Sequence, residues 1–579
     1  MFRIRRIYDT NSPANKNAID HAQQILREQF SLLHPSDIVK LPEMLMNPLK
    51  FQFKSILFVA DNLRGNINGF AMLLHASDLG FCYLDFISTT KQLSGRGVGG
   101  ALYERIRMEA VSLKVSGLFF ECLPDDELLC KDPKVLKQNK ARLKFYEKYG
   151  ARPIINTRYE TPVKESDDNP PYLVFDPLDA SKPLRKYELR RIVKAILERK
   201  YPDVCNNEYV AMVIRSINED PVKLRPFRYV SENNIETIHR EIPRDRRITL
   251  VYNNVHAIHH VHERGYVESP VRVKTILSAL NKTDFFNPMP FRHFAEHHIT
   301  AVHDRGFFNY LQRVCSSLPD DSSVYPYVFP IRNNTRPPKE LPMRAGYYCI
   351  DTFTPLNKNA FLAARNAVHC ALTAAQAILD GSYLAYALVR PPGHHAERNV
   401  FGGFCYLNST AIAANYLSRH GTVAILDIDY HHGNGQQSIF YDRDDVLTIS
   451  IHGHPSFAYP FFCGFGEERG AGKGHNYSIN LPLPENITSA RYFDTLVHAI
   501  SKVNKFNPGF LVIALGFDTA RGDPTGTWPL DATDFKKIGR LIGELPYSTL
   551  FVQEGGYKTK TIGRNVRAFF EGVWKGSFE

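Results

Sequence analysis

The sequence predicts an α/β protein in two unlike parts: a large C-terminal domain built on a parallel sheet, preceded by a smaller α+β domain. Two observations carry this reading. From Arg246 onward, short and almost wholly apolar runs alternate with stretches of helical periodicity. Runs without polar alternation mark strands buried on both faces, as in a parallel sheet flanked by helices. Before about residue 160 the apolar runs instead follow one another closely with turn residues between them, the pattern of hairpins in an antiparallel sheet. A chain of 579 residues also exceeds one ordinary domain, at roughly 100–200 residues each. Its 44% apolar and 23% charged residues are the profile of a globular protein.

Taken in order, the first zone (1–165) opens with a helix expected over Asn15–Leu33. The apolar runs Ser55–Val59, Phe70–Leu74 and Phe81–Ile87 follow, the first two separated by the turn Asn62-Leu-Arg-Gly-Asn. The polar, proline-closed segment Lys164-Glu-Ser-Asp-Asp-Asn-Pro-Pro171 marks its end. Residues 166–245 read as a connector with one short strand-like run and a helix near Glu208–Ile217. Between them lies the basic stretch Lys182–Lys200, in which Leu189, Ile192, Val193, Ile196 and Leu197 recur at helical spacing. This is an amphipathic helix whose apolar face is expected to dock on a neighbouring domain. The third zone, 246–579, carries strands at Ala385–Val389, Val423–Ile428, Val446–Ile451, Phe510–Leu515 and Leu550–Val552, with helices at Ala360–Leu379 and Ala490–Val503. In such a sheet ligands bind beyond the carboxyl ends of the strands.

Bulk properties exclude several classes. No stretch approaches 18 uninterrupted apolar residues, so no membrane span is expected. The basic start Met1-Phe-Arg-Ile-Arg-Arg-Ile lacks the apolar core of a secretory signal. The nine cysteines are scattered without a C-x-x-C pair, which argues against a disulfide framework and for a reducing cytoplasm. A net charge of +11 is compatible with anionic partners. It is spread along the chain without a nucleic-acid motif, which argues against nucleic acid.

The chemistry concentrates at strand ends. Strand Val423–Ile428 runs into Asp427-Ile-Asp429-Tyr-His431-His-Gly-Asn434-Gly. Side chains at i and i+2 of extended chain point the same way. Asp429 and His431 therefore face one point, with Asp427 on the same side one step deeper. Strand Phe510–Leu515 delivers Asp518 at an equivalent height, in Gly516-Phe-Asp518-Thr-Ala-Arg-Gly-Asp523-Pro. Two Asp and one His leave a tetrahedral zinc one open position, as catalysis requires; iron(II) or cobalt(II) suit the same donors. A lone Asp at a strand end usually caps a helix and a lone His is usually a surface group, but the combination is specific. The third element, Arg390-Pro-Pro-Gly-His394-His395-Ala-Glu, supplies two imidazoles for the proton transfers of amide hydrolysis.

The segments from Arg390 to His395, Gly402 to Asn408, Asp427 to Gly435, Gly516 to Pro524 and Gln553-Glu-Gly-Gly-Tyr557 resemble, in order, the signature of the histone deacetylase superfamily. They are most similar to its bacterial acetylpolyamine amidohydrolase branch. The resemblance covers about 246–579, with early elements His260, Glu268-Ser-Pro-Val-Arg272 and Val302-His-Asp304. It implies an arginase-like α/β fold with an eight-stranded parallel sheet. It assigns Asp429, His431 and Asp518 to the metal, His395 to general base, and His394, backed by Asp427, to its electrostatic partner. Tyr557 becomes the donor to the substrate carbonyl, and Phe404 with Gly403 and Tyr459 the walls that grip the substrate stem. Asn434 stands beside His395 where class I enzymes carry a second Asp. A structural potassium ion at Asp427, Asp429, His431, Ser450 and Ile451 is implied as well. So is an acetylated polyamine, small amine or acetyl-lysine peptide as substrate. The loop 317–343 matches an insertion that narrows the entrance and pairs two copies of the chain as a homodimer. Thr525 stands where a polyamine-selective eukaryotic relative has a charge-reading glutamate, which leaves acetyl-lysine peptides open.

In the first zone, Leu93-Ser-Gly95-Arg96-Gly97-Val98-Gly99-Gly100 between a strand and a helix, with Asn139-Lys-Ala141 and Phe145-Tyr146 downstream, resembles the GNAT N-acetyltransferases. That resemblance implies acetyl-CoA held by Ile87, Gly95, Arg96, Gly97, Val98, Gly99, Gly100 and Asn139, Tyr146 as the acid for the departing thiolate, and Asp85 as a base. Ser94 departs from the usual Gln or Arg at the start of the glycine motif. A remnant that binds CoA or serves only as structure is the alternative. For the C-terminal domain the alternatives are a catalytically silent binder of acetylated ligands, opposed by the intact ligand set and Tyr557, and a two-manganese ureohydrolase, which needs more bridging aspartates.

Overall fold

The computed structural model describes the chain except residues 1, 30–34, 63–64, 91–96, 163–169, 179–182, 232–234, 237–240, 264, 321 and 334. The chain forms two compact units, one of Met1–Thr10 and Lys16–Pro243, the other of Asn11–Asn15 and Arg244–Glu579.

The N-terminal unit is a mixed sheet with helices on both faces. Its strands are β1 (Arg3–Ile7), β2 (Lys54–Asp61), β3 (Ile67–Ala76), β4 (Phe81–Thr89), β5 (Leu118–Cys122), β6 (Arg152–Pro153) and β7 (Tyr172–Asp176), in the order β1-β2-β3-β4-β5-β7-β6. The expected hairpins are present: β2 pairs antiparallel with β3, and β3 with β4. β4 and β5 run parallel and are in register only at Cys82–Leu118 and Tyr83–Phe119. Period-two alternation divides the side chains between two cores. Ile56, Phe58 and Ala60 meet the helices Val98–Ser112 and Pro133–Glu147, while Leu57 and Val59 join the core formed with the helix Pro13–Gln29.

The described residues between 170 and 243 build into this unit. β7 pairs with β5 and β6, and the basic helix, observed over Lys186–Ala195, buries Leu189, Ile192 and Val193 in the same core. It continues as a π-helical turn, Ile196–Lys200, that buries Ile196 and Leu197. The helix Asn207–Ser216 follows, capped by Asn206, whose side chain accepts from Tyr209 N. The helix expected over 15–33 is Pro13–Gln29, and the end of that expectation falls outside the described residues; so does part of the turn after Asn62.

The C-terminal unit holds β8 (Ile248–Tyr252), β9 (Phe286–Pro290), β10 (Ser323–Val324), β11 (Leu356–Asn357), β12 (Leu384–Leu388), β13 (Val423–Asp427), β14 (Val446–Gly453), β15 (Ser478–Leu483), β16 (Phe510–Leu515) and β17 (Thr549–Gln553). Eight of these form one all-parallel sheet, ordered β15-β14-β13-β16-β17-β12-β8-β9. The five expected strands are five of its six inner members; the sixth, β8, is not among them. The edge strands β9 and β15 carry prolines and partly exposed residues, so neither reads as a continuous apolar run. The helix Ala360–Leu379 matches its expected bounds and is buried along almost its whole length against the sheet. All nine cysteines are free thiols. No helix among the described residues is long and apolar enough to cross a membrane.

The helices Ala532–Gly543 and Thr559–Phe578 cross with their backbones in contact. A Cβ at Gly539 would lie 2.0 Å from the Phe569 carbonyl oxygen, and one at Gly572 2.0 Å from that of Lys536. Gly539→Ala or Gly572→Ala is expected to cost about 1–3 kcal/mol by forcing the helices apart, read as a lower urea midpoint. Gly466→Ala, where an added Cβ meets nothing within 4 Å, should leave the midpoint unchanged.

Candidate active site

Four adjacent strands end at one place. β13, β16, β17 and β12 are consecutive neighbours in the sheet, and their C-terminal loops carry Asp427 to Asn434, Asp518, Glu554 to Tyr557, and Arg390 to His395. Parallel register makes the loops converge: Asp427 pairs with Ala514, and Leu515 with Gln553.

Asp429, His431 and Asp518 come together as the i, i+2 argument expects, each offering a ligand atom within 4.8 Å of the others. His431 Nδ1 lies 3.3 Å from Asp429 Oδ1 and 2.9 Å from Asp518 Oδ2. Both aspartates are fully buried. Gly555 N donates to Asp429 Oδ2 (2.8 Å) and Tyr430 N to Asp518 Oδ1 (2.9 Å). A side chain at Gly555 would fill the cradle, since its Cβ would fall 2.5 and 2.6 Å from oxygens of Asp429 and Asp518. Burial, and then the charge of Asp429, pushes the Asp518 carboxyl up to about 7. Asp429, by contrast, is buried yet held well below the usual carboxylate range by His394 and His431, and a set of two carboxylates and one imidazole could hold a divalent ion.

The imidazole pair is differentiated by its partners. His394 Nδ1 faces Asp427 Oδ2 at 3.0 Å and its Nε2 lies 3.7 Å from Asp429 Oδ1. Burial would depress His394, but Asp429 and Asp427 outweigh it and raise its pKa to about 10. The two carboxylates favour the protonated ring. His395 Nδ1 instead donates to Asn434 Oδ1 (2.7 Å), a neutral acceptor. Burial, and then the charges of His394 and His431, hold His395 well below the usual histidine value. Its Nε2 therefore carries the lone pair of a base. Asn434 is fixed by donating through Nδ2 to the Glu397 carboxylate (2.8 Å) and the His395 carbonyl (3.2 Å).

Tyr557 is buried close enough to Asp429 and Asp518 that both carboxylates, after burial itself, raise its phenol. Its backbone N–H donates to Asp523 Oδ2 (2.7 Å), and the Arg272 guanidinium lies 4.6 Å above its ring. Arg272 also grips the carbonyls of Gly556 (2.7 Å) and Glu554 (2.6 Å). The Phe404 ring meets Tyr557 edge-on at 5.6 Å, and Tyr459 meets His395 at 4.7 Å.

Three contributors have no role in the sequence reading, although His303 and Glu554 lie in motifs it names. Asp351 fastens both aromatic walls: its Oδ2 accepts from Gly403 N (2.6 Å) and the Tyr459 hydroxyl (2.9 Å), and its Oδ1 from Phe353 N and Thr354 N. Its only sequence signal is an Asp followed by Thr three residues on, which reads as a turn. Glu554 holds the turn of the imidazole pair, accepting from Gly393 N (2.6 Å), His394 N (3.0 Å) and Thr410 Oγ1 (2.6 Å). A carboxylate directly after the buried strand Thr549–Gln553 was its signal. His303 ties the loop behind Asn434, donating from Nδ1 to the Glu397 carbonyl (2.8 Å) while its Nε2 accepts from Asn408 N (2.9 Å). His394, Cys405 and Glu554 also lie within 4.8 Å of one another, but both Glu554 oxygens are engaged by the donors just named.

The residues of the first zone stand as follows. Gly95 and Arg96 lie outside the described residues. Gly97 (φ +81°) precedes the helix that begins at Val98 and contains Gly99 and Gly100, and Ile87 lies on β4. Asn139 donates to the Pro124 carbonyl (2.9 Å). Tyr146 is buried among Phe120, Tyr103 and Phe145. Asp85, expected as a base, is ion-paired with Lys200, because the π-helical turn after the basic helix carries that ammonium onto β4.

The class of protein follows from the comparisons. The histone deacetylase domain matches residues 266–573, and the chain belongs to that family. Its C-terminal unit is a deacetylase-type amidohydrolase domain of α/β fold. Among its relatives, the acetylpolyamine amidohydrolase of Burkholderia pseudomallei is 40% identical over 318 residues, covering 53% of this chain and 93% of the relative. Acetylpolyamine amidohydrolase 2 of Pseudomonas aeruginosa is 37% identical over 339 residues, covering 56% and 98%. The crystal structure of the Burkholderia pseudomallei acetylpolyamine aminohydrolase aligns with a TM-score of 0.53 at 36% identity, over 56% of this chain and 98% of that one.

Two outcomes test the supports of the site. His303 titrates near pH 4 in the fold against 6.5 free, because burial disfavours its charged form. The unfolded chain binds the extra proton first, so this stability is whole above pH 6.5 and is lost as pH falls toward 4, at about 1.4 kcal/mol per unit. Urea midpoints of wild type and His303→Gln should therefore converge between pH 7 and pH 4.5. For Asp351→Ala, steady-state kinetics should show kcat/KM falling about tenfold, roughly 1.4 kcal/mol, mostly through KM. An unchanged KM would exclude Asp351 as the fastening of the walls.

Proposed function

We propose that the C-terminal unit is a zinc-dependent hydrolase of N-acetyl amides, acting on acetylated polyamines or similarly slim acetylated amines. The observation that carries this is the buried cluster Asp429, His431 and Asp518 with a neutral His395, a cationic His394 and Tyr557 around it. A divalent ion held by those three ligands supplies Lewis acidity toward the acetyl carbonyl and toward water. His395 Nε2 takes the proton of the attacking water and returns it to the departing nitrogen, so that acetate and a free amine leave. His394 stays protonated and stabilises the negative charge that develops beside it. The Tyr557 hydroxyl donates to the carbonyl oxygen as that oxygen becomes anionic. Phe404 and Tyr459 form the walls along which an aliphatic stem packs. The relatives named as acetylpolyamine enzymes support the substrate class.

Activity is tested with acetylspermidine, acetylputrescine, acetylcadaverine and acetyl-lysine peptides, on zinc, iron(II) and cobalt(II) forms. Chelation should abolish turnover and each polyamine should exceed the peptides. A tenfold preference for peptides would overturn the substrate assignment while leaving the hydrolase intact. Tyr557→Phe should lower kcat about 10²–10³-fold, or 2.7–4 kcal/mol, with metal content by mass spectrometry unchanged.

For the N-terminal unit we propose acetyl-CoA binding and N-acetyl transfer. This reading is supported by β4 parting from β5 after two residues and by Gly97, at positive φ, opening the helix Val98–Ser112. Calorimetric titration with acetyl-CoA tests it, and no saturation at millimolar concentration would overturn it.

A further inference from the structure

The C-terminal unit contains a cavity of about 570 Å³ that shares no lining residue with the candidate active site. The helix Arg305–Ser317 forms one wall and turns Asn309, Tyr310, Arg313 and Ser317 toward it, at spacings of three and four. The helix Leu341–Tyr347 forms the other, with Arg344 and, just past its end, Tyr348. The rings of Tyr310 and Tyr348 stack at 4.3 Å and 23°, which joins the two walls. Arg313 and Arg344 are the only charged residues among the described residues of the lining. Two positive charges therefore face one space with no carboxylate between them.

Neither guanidinium is neutralised. Among the described residues no side chain forms an ion pair with Arg313 or Arg344. Elsewhere in the same unit Arg443 is matched by Asp445 at 2.6 Å and Arg540 by Glu544 at 3.0 Å. Asp304, whose charge reaches Tyr348, lies beside Gly306 and accepts from Phe307 N through Oδ1 (3.0 Å). Glu340 is exposed at the N-terminal cap of the second helix. Neither carboxylate lines the cavity. Arg344 is half-buried, and its Nε donates to the Pro338 carbonyl (2.6 Å). That bond fixes the plane of the fork and leaves its terminal nitrogens to a ligand. Burial raises the phenols of Tyr310 and Tyr348 and the Arg344 charge opposes it, so the cation lies near both rings.

We propose that this cavity binds a phosphate monoester of a small organic alcohol or phenol. Its phosphate bridges the Arg313 and Arg344 guanidinium groups, and its organic part lies against the tyrosine pair and Leu341. Near neutral pH such a phosphate carries about −1.5 to −2 charges, enough to answer both arginines at once. The planar fork of arginine meets phosphate oxygens in pairs, and the Asn309 amide adds a neutral donor. A simple carboxylate answers only one of the two charges. A second copy of the chain is the competing occupant, through an exposed acidic side chain. A cavity of this size suits a small molecule better than one inserted side chain. The inference goes beyond the hydrolase reading and does not rest on it.

The test is hydrogen–deuterium exchange of the full chain with phenyl phosphate, benzoate or benzyl alcohol, each at millimolar concentration. The readout localises binding by peptide, so phosphate held at the metal cluster or in the N-terminal unit does not count. Phenyl phosphate should slow exchange in 305–317 and 341–348. Benzoate should bind there about tenfold more weakly, and benzyl alcohol should give no protection. Titrated in this way, affinity for phenyl phosphate should fall about tenfold in Arg313→Gln and in Arg344→Gln. Arg344→Lys, which keeps the charge and loses the fork, should fall between wild type and Arg344→Gln. No protection of the two segments in wild type, equal protection by benzyl alcohol, or unchanged affinity in Arg313→Gln overturns the proposal. So does a lower sedimentation coefficient in Arg313→Gln with no protection by phenyl phosphate, which marks this face as a contact between copies of the chain. The wild-type comparison of the three probes decides even where Arg344→Gln fails to fold.

Discussion

Negative charge buried at the carboxyl edge of the parallel sheet is the constraint on which the C-terminal unit depends. Asp427, Asp429, Asp518 and Glu554 are all fully buried there. Isolated carboxylates in such a place are strongly unfavourable, so every neighbouring loop is shaped to answer them. His394 lies between Asp427 and Asp429, which favour its protonated form. Backbone donors from Tyr430, Gly555, Gly393 and His394 meet Asp518, Asp429 and Glu554. Asp429, Asp518 and His431 together form a group that could hold a metal ion.

The same charges organise the second layer. Arg390 spans Glu268 (2.8 and 2.9 Å) and the carbonyls of His256 and His259, while Arg272 joins Glu268 to the carbonyls on either side of Gly555. Replacing a buried ion network by apolar residues is often neutral for stability, so its value here lies in geometry. Through Arg272 it reaches the ring of Tyr557. The early segment 256–272, far away in sequence, thereby sets the position of a residue that faces the acetyl group.

The N-terminal unit solves a different problem. Its sheet is covered on both faces, and the covering on one side comes from a segment that follows the sheet's first five strands by many residues. Leu189, Ile192 and Val193 provide the burial, and the basic residues of the same helix remain at the rim. The turn that ends the helix then brings Lys200 to Asp85, so a segment that reads as connecting chain completes a polar site within the sheet's own core.

Local sequence determined a good deal here. Apolar runs marked five of the six inner strands, all but β8, because strands covered on both faces have few polar positions to interrupt them. Spacing of two after a strand end placed Asp429 beside His431, since pleat alone decides that direction. The edge strands β9 and β15 were hidden by prolines and half-exposed positions. Tertiary structure alone decided the rest. Asp351 meets Gly403 and Tyr459, His303 meets Asn408, and Glu554 meets Gly393 across separations of 52 to 161 residues. Lys200 meets Asp85 across 115. Periodicity reports which face a residue takes on its own element. Which distant element it then faces follows from the order of strands in the sheet, a property of the whole fold and of no single segment.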